Sequence, residues 1–152
     1  MKLRYISFFG ALLLSSSIAI AGFLQPAPVT VTVNDDGSGT ASGDMATARF
    51  ADNDFDLIGC GIRTFDDGAG GVFEFGFCQA QDSAEVNGFC STDRSDILDT
   101  LKATADYSFV TFSWNTDGEC TRVGFSTQSF YIPEHLDSNL PDDDDDDDDS
   151  DD

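Results

Sequence analysis

Apolar and polar positions alternate along much of this chain in short runs, and clusters of Asp, Asn, Gly and Ser separate the runs. A period of two is the pattern of a half-buried β-strand. Residues 29–33 read Val-Thr-Val-Thr-Val, and Asn34, Asp35, Asp36, Gly37, Ser38 and Gly39 then break the run as a turn. Ala46, Ala48 and Phe50 share one parity while Thr47 and Arg49 share the other, which predicts a second strand over 40–51. Apolar stretches at 55–65 and 72–80 flank a Gly- and Asp-rich loop, 66–71, as the arms of a hairpin would. In the second arm Phe73, Phe75 and Phe77 fall on one face, and Val72, Glu74, Gly76 and Cys78 on the other.

Residues 86–90 predict a short strand. The period changes once, at 94–105, where Ile97, Leu98, Leu101 and Ala105 form a helical stripe and Ser91, Thr92 and Asp93 offer capping oxygens. Strands at 107–114 and 119–132 surround Asn115-Thr116-Asp117-Gly118, a strong hairpin turn. Several short strands, many turn residues and a single helix predict a mainly β domain, an antiparallel β-sandwich or open barrel with one α-helix. No repeat of 20–50 residues is visible, which argues against a solenoid or propeller. Phe109 and Phe112 have opposite parity, so their strand is expected to be covered on both sides, for instance by the helix. An uncovered face would serve for binding or assembly.

Both ends of the chain depart from this pattern. Lys2 and Arg4 precede an apolar run over 6–20, and Ala19-Ile20-Ala21 supplies small residues at a cleavage site, so residues 1–21 read as a signal peptide. The mature chain is then expected from Gly22, secreted or periplasmic and not an integral membrane protein. Residues 22–136 would form the folded domain and 137–152 a disordered poly-Asp tail. The four cysteines Cys60, Cys78, Cys90 and Cys120 are even in number and suit an oxidising compartment, so two disulfides are expected. The proposed hairpin sets Cys60 near Cys78, which favours pairing Cys60 with Cys78 and Cys90 with Cys120. A zinc site would normally bring C-x-x-C or His spacings that are absent here.

Charge narrows the partners. With Lys2 and Arg4 removed, 5 cationic residues face 29 Asp and Glu, a net charge of 5 − 29 = −24. Nucleic acid and anionic lipid surfaces are then poor partners, and divalent cations or cationic surfaces and proteins are good ones. The tail concentrates this property in Asp142, Asp143, Asp144, Asp145, Asp146, Asp147, Asp148 and Asp149, with Asp151 and Asp152 beyond Ser150. Adjacent carboxylates well within a Debye length of about 8 Å favour divalent counterions, and calcium suits oxygen ligands, weakly where no cage is preformed. Solubilisation of an aromatic-rich domain is the alternative role.

Asp52, Asp54 and Asp56 alternate like the first ligands of a calcium loop, but Leu57 and Arg63 stand where an EF-hand needs glycine and glutamate. Asp52 and Asp54 therefore remain candidates for a simpler loop site, with no cofactor required. The only histidine, His135, has no nucleophile motif with it. Glu74 and Glu119 are the candidates for a carboxylate pair in a small hydrolase. The sequence thus points to a non-enzymatic binding or structural protein with a cation-binding tail. One alternative is a self-associating subunit of an extracellular fibre or matrix, its residues 23–33 adding as a strand to a neighbour; a small hydrolase is the other.

Overall fold

The computed structural model describes residues 23–133. Two antiparallel sheets pack on one core. The first contains β1 (Thr30–Val33), β2 (Gly39–Asp44), β6 (Phe109–Trp114) and β7 (Cys120–Ser126), in the order β1-β2-β6-β7. The second contains β3 (Leu57–Asp66), β4 (Val72–Gln81) and β5 (Asn87–Thr92), in chain order. In chain order α1 (Met45–Arg49) follows β2 and α2 (Ser95–Lys102) follows β5, and a 3-10 turn at Ser129–Tyr131 closes the described chain. This is the mainly β, two-sheet architecture the alternation predicts.

Three elements differ from expectation. The strand expected over 40–51 stops at Asp44, and α1 occupies the Ala46-Ala48 stretch. The buried Asp44 carboxylate decides this, because it accepts the Thr47 N–H at 2.7 Å as a helix N-cap does. Alternation over so few small residues fits a helical turn as well as a strand. The principal helix, α2, starts at Ser95 and ends at Lys102, earlier than 105, and the chain then turns through Tyr107 at φ 56°. Its cap residue is Arg94, which makes no side-chain cap bond, and Thr92 Oγ1 accepts the Arg94 N–H at 3.1 Å. The last strand ends at Ser126 rather than 132, leaving room for the 3-10 turn.

The core joins Ala41, Val110, Phe112 and Trp114 of the first sheet to Ile58, Cys78, Ala80 and Cys90 of the second, with Ile97, Leu98 and Leu101 of α2 over one end. Trp114 reaches between the sheets. Its Nε1–H donates to the Gly37 carbonyl at 2.9 Å, and its ring needs glycine at both 39 and 88, where an added Cβ would overlap it. One face of β6, Val110, Phe112 and Trp114, is buried in the core. On the other face Phe109 packs on Tyr131 of the 3-10 turn, at 5.6 Å between ring centroids, and not on the helix, while Thr111 and Ser113 are only half-buried.

Both disulfides follow the favoured pairing. Cys60 and Cys78 face each other in the β3–β4 register, and Cys90–Cys120 ties β5 to β7, hence one sheet to the other. Structural disulfides of this kind belong to oxidising compartments. Among the described residues, no helix is long and apolar enough to cross a membrane. Residues 1–21, where a signal peptide is expected, His135 and the Asp142–Asp149 run lie outside the described residues.

Candidate functional site on the aromatic outer face

The disulfide decides which way β4 faces. Cys78 points into the core, so Gly76 and Ala80 do as well, and Phe73, Phe75 and Phe77 must stand on the opposite, outer face. Register brings Phe65 of β3 opposite Phe73, and Gly61 opposite Phe77. Phe89 of β5 has the same outward parity.

These five phenylalanines form a continuous strip across the second sheet. Ring centroids are 5.2 Å apart for Phe65–Phe73, 5.8 Å for Phe65–Phe75, 6.3 Å for Phe75–Phe77 and 6.4 Å for Phe77–Phe89. Three of the four contacts are stacked, within the range in which aromatic pairs attract. Phe65, Phe73 and Phe89 are 44%, 54% and 56% exposed, so a large apolar area meets water. Glycine at 61 lets Phe77 lie across the neighbouring strand, since a Cβ there would come within 2.9 Å of the ring. The Arg63 guanidinium carbon sits 4.9 Å from the Phe77 centroid, a cation–π contact.

At one end the strip opens into a cleft of about 640 Å³. Phe75 and Phe89 form its apolar lip, and Ser91, Asp93, Arg94, Asn115 and Glu119 supply polar groups. Arg94 pairs with Asp96 at 2.6 Å, and that hydrogen bond raises the guanidinium pKa and lowers that of the Asp96 carboxyl. Glu119 Oε2 accepts the Asn115 side-chain N–H at 3.0 Å. At the opposite turn the backbone N–H groups of Ala69 and Gly71 hold the Asp67 carboxyl below its usual range. The strip and cleft together offer ring faces, two guanidinium groups already engaged, Arg63 on Phe77 and Arg94 on Asp96, and several acceptors.

The sequence candidates fall mostly elsewhere. Asp52 and Asp54 are exposed in the segment between α1 and β3, where Asn53 Oδ1 makes the turn by accepting the Phe55 and Asp56 N–H groups. Among the described residues, the one set of three metal-ligating side chains in close reach is Cys78, Cys90 and Cys120, whose sulfurs are already in disulfides. Glu119 lines the cleft, while Glu74 bonds Lys102 at 2.8 Å, a contact that lowers the Glu74 pKa. β1 does lie at a sheet edge, as strand addition requires, but the Val31 N–H is taken by Asp82 Oδ2 at 3.3 Å.

Phe65, Phe89 and Arg63 were not singled out by the sequence. The available signal was parity: once Cys60–Cys78 is placed inside, every odd position of 61–65 and 73–77 faces out. No protein-family model matches the chain, and no curated protein or solved structure matches it either.

Proposed function

We propose that this protein is a non-enzymatic binding protein, exported by residues 1–21 into an oxidising compartment, that takes a cationic partner on the outer face of β3, β4 and β5. The outward strip carries the reading: Phe65, Phe73 and Phe89 are exposed, and Phe75 and Phe77 are half-buried between them. Large apolar patches on a folded surface mark interaction sites. The choice of a cationic partner rests on two further observations. Ring faces attract guanidinium and ammonium groups, as Arg63 over Phe77 illustrates, and the net charge of 5 − 29 = −24 for the mature chain would draw cations in from a distance. In this reading the Asp142–Asp149 tail adds weak, exchangeable binding of calcium or of the same cationic surface.

The test is calorimetric titration of mature protein with an oligoarginine peptide at two salt concentrations. Cation–π contacts are worth about 0.5–2 kcal/mol each, so losing two of them in Phe75→Ala/Phe77→Ala should weaken binding by at least about fivefold, and by up to about 1,000-fold. A chain ending at Pro141 should keep that dependence on the phenylalanines and lose part of its salt sensitivity, since its net charge falls only from −24 to 5 − 19 = −14. Equal affinity of the wild type and the double variant would sink the proposal. A calcium titration of the full and shortened chains separates the tail's part, which fails if both take up the same amount.

A further inference from the structure

The four sulfurs form one cluster. The sulfurs of Cys78, Cys90 and Cys120 all lie within 4.8 Å of one another, and Cys60 is bonded to Cys78. The reason is register: Cys60, Cys78 and Cys90 are consecutive cross-strand partners on β3, β4 and β5, and Cys120 reaches in from the other sheet. Accessibility is uneven. Cys78, Cys90 and Cys120 are buried at 0%, 0% and 1% exposure, and Cys60 is only half-buried. Cys120 also lines the polar cleft.

We propose that the two disulfides form an exchange-coupled pair that accepts two electrons from a dithiol at Cys60 and delivers a thiol to the cleft at Cys120. In the first step a thiolate of the dithiol attacks Cys60 Sγ. The Cys60–Cys78 bond breaks, and Cys78 leaves as a thiolate. The second thiol of the reductant resolves the mixed disulfide; Cys60 departs as a thiolate and takes a proton, and the reductant is released as a disulfide. The Cys78 thiolate then attacks Cys90 Sγ, its register neighbour, forming Cys78–Cys90 and expelling Cys120 as a thiolate that takes a proton from water. Two electrons have entered, one protein disulfide remains, and the new thiols are Cys60 and Cys120. The buried Cys90–Cys120 bond is thereby opened without any external thiol reaching it.

The experiment is partial reduction of the mature protein by half an equivalent of dithiothreitol without oxygen, followed by acid quenching, maleimide labelling and peptide mapping. Labels on Cys60 together with Cys120 are expected, and labels on Cys60 with Cys90 would overturn the delivery of a thiol to the cleft. Labels on Cys60 and Cys78, labels on Cys90 and Cys120, or release of all four thiols with no two-thiol species would each overturn the proposal. A kinetic measurement stands beside the map. In Cys60→Ser/Cys78→Ser, dithiothreitol should open Cys90–Cys120 at least about tenfold more slowly than in wild type, because the internal attacker is gone. An unchanged rate would overturn it. If that variant does not fold, the wild-type map decides alone.

Discussion

Asp44 is the single polar side chain whose removal should cost most. It is 1% exposed, and its carboxylate accepts three hydrogen bonds: from the Ala27 N–H at 2.6 Å, the Thr47 N–H at 2.7 Å and the Thr47 hydroxyl at 2.5 Å. Its own N–H donates to the Ala27 carbonyl at 2.8 Å. One side chain thus starts α1 and fixes the leading segment to the sheet. A hydrogen bond to an ionised group contributes about 1.5–3 kcal/mol, whereas an N-cap bond alone contributes about 1 kcal/mol. Asp44 borders a cavity of about 150 Å³. Water entering there would satisfy part of what Asp44→Ala leaves bare, so the expected loss is about 3–4 kcal/mol rather than the full sum. Asp44→Asn keeps one acceptor but turns an N–H₂ toward one of the donors, and should lose about 2 kcal/mol. Urea unfolding of mature protein followed by Trp114 fluorescence gives both values. A loss below about 1 kcal/mol for Asp44→Ala, or an Asn variant worse than the Ala variant, would refute the reasoning.

Gly39→Ala should destabilise by at least about 2 kcal/mol, because the new Cβ would meet both the Trp114 ring and the backbone carbonyl of Thr32; a thermal melt at unchanged midpoint would contradict this. Reducing both disulfides should remove about 3.2 kcal/mol for the 18-residue separation and about 3.6 kcal/mol for the 30-residue one, measured as the difference in urea midpoint with and without reductant. Glu74 is hydrogen-bonded by Lys102, which lowers its pKa below 4.5. Its contribution to stability is therefore fully present above the ordinary carboxylate value and lost as pH falls through the lower folded value. Lys102→Met should return the Glu74 carboxyl toward 4.5 in an NMR titration, and no movement would show that the ion pair does not form in solution.

The alternation of apolar and polar residues was enough to place most strands, since period two survives wherever a strand has one wet face. It misplaced residues 45–49, where alanines at 46 and 48 carry too little side chain to distinguish a strand face from a helical turn, and where the deciding contact comes from Asp44. The disulfide pairing was legible because 60 and 78 are set by one hairpin about a short loop. The aromatic face was only half legible. Phe73, Phe75 and Phe77 share a parity, but parity alone does not say which face is core, and ordinary burial preferences put phenylalanine inside. Here the interior of the second sheet is filled by Ile58, sulfur and alanine, with Leu98 and Leu101 of α2 over Gly76 and the Trp114 ring over Gly88, and the phenylalanines stand on the opposite face. Nothing in the spacing of the four cysteines announced that three of their sulfurs would crowd together, because Cys120 arrives from the other sheet.

The two ends of the described chain meet. The Gln25 N–H donates to the Phe130 carbonyl at 3.1 Å, and the Phe23 and Phe130 rings pack edge to face at 5.8 Å. A linker of a few residues from Pro133 back to Phe23 would therefore close the backbone into a ring, and the ring could be reopened at the exposed 66–71 loop, whose Gly68 and Gly70 already adopt positive φ. Such a circular permutant would place the new ends beside Phe65 and Phe73, carrying any fused partner at the edge of the aromatic strip.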